Sequence, residues 1–106
     1  MNYLEILKKF AAKVRAVYPE ARIMGFGSYP RGTAGKESDL DVCVVLKAFK
    51  PEDRFVISDL AWDVGFDCDI LISTIVISEH EYENGAISTS PLIKSIRSEG
   101  VAAPSF

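Results

Sequence analysis

Two aspartates, Asp39 and Asp41, stand two residues apart at the entrance to the apolar run Val42–Leu46. In an extended strand, residues i and i+2 point to the same side, with Cα atoms roughly 6–7 Å apart. Two carboxylates so placed repel each other and are costly to desolvate. A divalent cation of the oxygen-liganded kind, such as Mg²⁺, resolves both problems. Upstream, separated from Asp39 by ten residues, lies Gly27-Ser28. Gly27 lets backbone approach a ligand closely and Ser28 can cap the turn that follows, so that backbone N–H groups there form an anion cradle. Arg31 and Lys36 are near enough in sequence to reach a phosphate oxygen. A phosphate cradle beside a carboxylate pair points to metal-assisted phosphoryl or nucleotidyl transfer. A further pair of acids, Asp67 and Asp69, precedes the apolar run Ile70–Ile72. If that run is a neighbouring strand, either aspartate can complete a two-metal site, and parity does not choose between them. Each feature has a plainer meaning on its own: Asp-x-Asp at a strand start, and Gly-Ser anywhere, are common turn chemistry. Their order and combination carry the signal.

The elements that must position these residues can be read from periodicity. Tyr3, Leu7, Phe10, Val14 and Val17 form one helical face, and Pro19 ends the helix. Arg22–Phe26 reads as a short strand, and 40–46, β-branched and apolar, as a buried one. Pro51 fits the first turn of a second helix whose apolar face is Ile57, Leu60, Ala61 and Val64, with Gly65 as its end. Residues 66–73, extended to Ile77, read as a third strand, and Glu79–Glu83 as a polar helical turn. Ser90-Pro91 opens a last helix through Leu92, Ile93 and Ile96, with Gly100 as terminator, and 102–106 read as a loose tail. Phe55 and Phe66 are expected in the core and Trp62 in packing, whereas Tyr29 can either stack on a base or cover the turn. His80, the sole histidine, lies in a polar run and is expected at the surface. The result is one domain over 1–106, of the α/β (α+β) class: a small mixed sheet flanked by helices on one face.

Composition limits the partners. In a chain of 106 residues, 12 Lys and Arg stand against 15 Asp and Glu, a net charge of −3. Binding dominated by nucleic-acid phosphates is therefore disfavoured. No apolar run approaches the ~18 residues that span a bilayer, and the first residues lack an export signal, so a cytoplasmic protein is expected. Cys43 and Cys68 have no metal-site spacing and are expected to act as small hydrophobes.

Gly27-Ser28, Arg31-Gly32, Ser38-Asp39, Asp41 and the run Val42–Leu46 together resemble the signature of the DNA polymerase β nucleotidyltransferase superfamily, most closely its minimal nucleotidyltransferase branch. The ending 91–101 also looks familiar for small members, so the likeness covers roughly residues 2–101. The resemblance implies a nucleotidyltransferase-like fold and nucleotide binding by Gly27, Ser28, Arg31 and Ser38, with Gly27 and Ser28 on the β- and γ-phosphates. It implies two Mg²⁺ ions on Asp39 and Asp41, with a third carboxylate that binds the catalytic metal and helps deprotonate the acceptor. That acceptor hydroxyl attacks the α-phosphorus of a nucleoside triphosphate, ATP by expectation, and pyrophosphate leaves. The family pattern favours Asp69 over Asp67 as the third carboxylate. Larger members carry a helical domain for which 106 residues leave no room, so a partner chain is expected to supply the acceptor. In the minimal branch the implied role is an antitoxin that adenylylates a HEPN-domain ribonuclease toxin. A catalytically silent module that neutralises a partner by contact is the alternative, and an unrelated α/β domain the third reading. Exposed sheet edges in so small a domain also suit a homo-oligomer.

Overall fold

The computed structural model describes residues 3–26, 40–84 and 90–103. The chain runs α1 (Tyr3–Val17), β1 (Arg22–Phe26), β2 (Leu40–Leu46), α2 (Asp53–Cys68), β3 (Ile72–Ser78), α3 (Glu79–Glu83), α4 (Pro91–Glu99) and β4 (Val101–Ala102). The strands form one mixed sheet in the order β3-β2-β1-β4. β1 is antiparallel to β2 and to β4, whereas β3 runs parallel to β2, the two joined by α2.

Alternation along the strands separates two cores. Ile23, Leu40, Val42, Val44, Leu46, Ile72 and Val76 pack with Leu7, Phe10, Val14, Ile57, Ala61 and Val64 of the two long helices. Met24, Phe26, Cys43, Val45 and Ile77 face the other way and pack with Tyr82, Ile93 and Ile96. Because β2 is buried on both faces, its sequence reads as a continuous apolar run. The expectation that helices flank one face holds for α1 and α2. The second face is not left open: α3 and α4 cover part of it. Tyr82 is the pin there. The guanidinium groups of Arg22 and Arg97 lie over its ring, at 5.2 and 4.7 Å from the ring centre. Arg97 also donates to the Tyr82 carbonyl, and Arg22 pairs with Glu83 at 3.0 Å.

Several boundaries differ from the sequence reading. α2 does not stop at Gly65 but continues to Cys68, so Phe66 and Asp67 are helical and β3 begins only at Ile72. Gly65 is needed for contact instead: a Cβ there would meet the Ile70 carbonyl oxygen at 2.5 Å. The left-handed cap falls on Asp69, with φ 55° and ψ 46°, a region that Asp tolerates better than most residues. Gly100 does end α4, but at φ −68°. Its use is again close approach, since a Cβ would lie 2.3 Å from the Ile96 oxygen. Ala102 and Ala103, expected in a loose tail, are tied down: Ala102 pairs with Met24, and the Ala103 N–H donates to the Ile23 carbonyl at 2.9 Å. The aromatics of α2 are a larger correction. Phe55 is 72% exposed, Trp62 67% and Phe66 80%, so none of them is core. His80 is exposed and Cys43 fully buried, as expected, and neither Cys43 nor Cys68 forms a disulfide.

Candidate active site

Asp41 is the second residue of β2 and lies side by side with Phe26 of β1 and Ser73 of β3. Strand parity places it on the face of Cys43 and Val45, which α3 and α4 cover further along. It is half-buried at the edge of an apolar surface, whereas Ser73 is exposed. A carboxylate in that setting has the hard oxygen donors that Mg²⁺ takes. Asp39 stands two residues upstream in the sequence. Asp39, Gly27, Ser28, Arg31 and Ser38 all lie outside the described residues, as do Tyr29 and Lys36. The structure does show what brackets them: residues 27–39 join the C-terminal end of β1 to the head of β2, where Phe26 pairs with Asp41.

Neither candidate for the expected third carboxylate is on a strand. Asp67 is exposed within the last turn of α2, and Asp69 is exposed at its left-handed cap. The Asp69 N–H and the Ile70 N–H, the latter at 2.9 Å, both donate to the Gly65 carbonyl and fold the chain back toward the sheet. The connection then meets β2 at once, where the Leu40 N–H donates to the Leu71 carbonyl at 2.9 Å. Asp69 therefore sits in the loop that enters the Asp41 end of the sheet, while the residue abreast of Asp41 on β3 is Ser73. Among the described residues no group of three His, Cys, Asp or Glu side chains comes together as a metal cluster.

Sequence reasoning did not single out Ser73, because the expected strand began six residues too early. Asp53, readable as an acid complementing the dipole at the start of α2, has a further part: its carboxylate accepts from Tyr18 Oη and from the Lys50 N–H, both at 2.8 Å. These bonds, the Lys50 one foremost, hold the Asp53 carboxyl below its ordinary range. The group ties α1 to the start of α2, away from Asp41. Burial pushes the Cys43 thiol up to about 11, which keeps it neutral and unreactive beneath the same sheet face. Among the described residues no helix is long and apolar enough to cross a membrane.

Comparison with known proteins extends this placement. MJ0141 of Methanocaldococcus jannaschii, which carries the name protein adenylyltransferase, is 33% identical over 79 residues, covering 72% of this chain and 80% of its own. A toxin–antitoxin structure with AMP-PNP superimposes with a TM-score of 0.59 at 18% identity, over 90% of this chain and 70% of that one. A nucleotidyltransferase structure from Sulfolobus solfataricus gives 0.58 at 22% identity, over 93% and 77%. These structural likenesses establish the fold, and the family resemblance read from Gly27-Ser28 and Asp39-x-Asp41 holds. With residues 7–101 matching its nucleotidyltransferase domain, the chain belongs to the nucleotidyltransferase family.

Proposed function

We propose that this domain transfers a nucleoside monophosphate, AMP from ATP, to a hydroxyl of a partner protein. The observation that carries the reading is the position of Asp41 at the head of β2, half-buried on one sheet face, directly after the segment that holds Gly27-Ser28 and Asp39. The adenylyltransferase name of the M. jannaschii relative supports a protein acceptor. The AMP-PNP of the toxin–antitoxin structure supports an adenine nucleotide.

In this reading Gly27 and Ser28 hold the β- and γ-phosphates, with Arg31 and Ser38 fixing the rest of the nucleotide. Asp39 and Asp41 would hold two Mg²⁺ ions, with Asp69 completing the set from the α2–β3 loop. When bound, the ions supply charge stabilisation at the attacking and leaving oxygens. The acceptor oxygen bonds to the α-phosphorus, the bond to the α–β bridging oxygen breaks, and pyrophosphate leaves. The acceptor proton passes to the Asp69 carboxylate. The chain's own contribution is position, because Asp41 is fixed by pairing on both sides of β2. A HEPN ribonuclease toxin is the partner that the minimal branch implies, which makes the domain an antitoxin acting in the cytoplasm.

One observation favours the contact-only alternative: Ser73, not an acid, stands abreast of Asp41. A single experiment separates the two. Heat unfolding is followed with ATP, with and without Mg²⁺, for wild type and Asp41→Asn, alongside transfer of α-labelled ATP to a co-purified partner. A binder of the native state raises stability by RT ln(1 + [L]/Kd), roughly 2.7 kcal/mol at a hundredfold excess over Kd. We expect a Mg²⁺-dependent shift that Asp41→Asn abolishes, and label on the partner. A shift without label supports neutralisation by contact, and no shift with any nucleoside triphosphate overturns the nucleotide site.

A further inference from the structure

The outer side of α2 displays a stripe that the catalytic reading does not use. Phe55, Trp62 and Phe66 fall within a narrow arc of the helix, at i, i+7 and i+11, and all three are largely exposed. Beyond Phe66 the stripe continues into Leu71, 54% exposed, at the entry to β3. Between helix and strand lies a groove of about 580 Å³, lined by the exposed Trp62, Phe66 and Leu71 and by Asp69 of the proposed transfer site, with the buried Ala61, Gly65 and Ile72. An aromatic side chain can bury ~150–250 Å². At their observed exposure these residues show on the order of 400–500 Å² of apolar surface, within the range of the largest apolar patch of a monomer, which is often functional, and about half of one partner's share of a standard interface.

Charge selects the occupant. Asp59, Asp63 and Asp67 recur every four residues beside the aromatic stripe, all exposed, and Asp69 follows. Residues 55–69 contain no Lys or Arg. Lys13 of α1 lines the neighbouring hollow with Trp62, Asp63, Phe66 and Asp67. Acids at the C-terminal end of a helix oppose its dipole, and the last turn of α2 holds no basic residue to offset them. A cationic partner would relieve that cost. A second copy of the chain, docked symmetrically on this face, would set like charges against each other.

We propose that the α2–β3 groove docks an amphipathic helix of the acceptor protein, with apolar side chains on one face and Lys or Arg along its borders. The groove ends at Leu71, whose carbonyl accepts from Leu40, the residue before Asp41. A helix seated there lies at the same end of the sheet as the transfer site. Its identity as the acceptor rests on the function proposed above, whereas the docking itself does not.

The chain holds one tryptophan, Trp62, which makes the groove its own reporter. An 18-residue Leu/Lys peptide with leucines at helical spacing is titrated into the intact protein while Trp62 emission is recorded, with a Leu/Glu peptide of the same pattern as control. The expected result is a saturable blue shift with the Leu/Lys peptide alone. Phe66→Ala and Asp63→Lys should each weaken that binding about tenfold or more, with the circular dichroism and the Mg²⁺–ATP shift unchanged. No shift, equal shifts with both peptides, or binding indifferent to Phe66→Ala overturns the proposal. A blue shift that grows with protein concentration without peptide overturns it in favour of a second copy. Peptide binding without any Mg²⁺–ATP shift sinks the transfer reading and leaves this one standing; the reverse result does the opposite.

Discussion

Asp41 and Asp69 place different demands on the chain. Asp41 is held in the middle of a sheet, so its direction follows from parity and was legible in the order Asp-x-Asp followed by an apolar run. Asp69 has a second task, because its backbone occupies the left-handed region at the end of α2. The two tasks can be separated by substitution. Asp69→Asn keeps a residue that tolerates this conformation and removes the charge. Transfer activity should fall by at least about a hundredfold while the thermal midpoint stays within a degree or two. Asp69→Gly should lose activity equally but gain up to about 1 kcal/mol of stability in urea unfolding, since glycine enters the left-handed region without a Cβ penalty. Asp67→Asn, two residues back and still within the helix, should leave both unchanged. Activity that survives Asp69→Asn and is lost in Asp67→Asn would exchange their roles.

At the level of elements, the starts of α3 and α4 were readable, whereas α2 was misplaced at both ends: Pro51, expected in its first turn, precedes the Glu52 cap, and the helix begins at Asp53. Ser90 was expected to open α4, and its Oγ accepts from the Ile93 N–H at 3.2 Å with Pro91 in the first turn. Ser90→Ala removes that acceptor and should cost about 1 kcal/mol. The loss should appear as a lower urea midpoint at unchanged slope, with Ser90→Asp restoring most of it. The end of α2 was misread because residues 62–72 satisfy two periods. Phe66 and Asp67 followed by an apolar run resemble a strand entrance, yet Trp62 and Phe66 also continue a helical stripe. Packing decides it: Gly65 admits the Ile70 carbonyl, which lets the helix run one turn further before the chain folds back. The exposure of Phe55, Trp62 and Phe66 was hidden for the same reason. α2 carries apolar side chains around most of its circumference, and only Ile57, Ala61, Val64 and Gly65 are buried.

For the whole molecule, pH links distant groups to stability. Partial burial, then the hydrogen bond to Asp53 and the charge of that carboxylate, pushes the Tyr18 hydroxyl up to about 12, and burial pushes Cys43 up to about 11. Both folded-state values lie above the unfolded ones, so their contributions are complete below about pH 8.5 and fade as pH rises through 11 and 12. The lowered Asp53 carboxyl has the opposite sign: its contribution holds above the ordinary carboxylate range and is lost as pH falls through the depressed value. Stability measured by urea unfolding should therefore form a plateau between roughly pH 5 and 8.5 and decline on both sides. Tyr18→Phe should flatten the decline above pH 10 and weaken the acid one, because Asp53 loses a donor. An unchanged alkaline limb in Tyr18→Phe would assign that loss to other groups.

The sequence by itself determined the family and the order of α1 to α4 and β1 to β3. These depend on local periodicity and on motif spacing, which are properties of neighbouring residues. Only the tertiary structure decided what stands beside Asp41, where α2 ends and which of its sides meets the core. The first of these depends on the parallel register of β2 with β3. That register is set by contacts between residues about thirty positions apart, as Leu40 with Ile72, and the chain does not encode it in any single window.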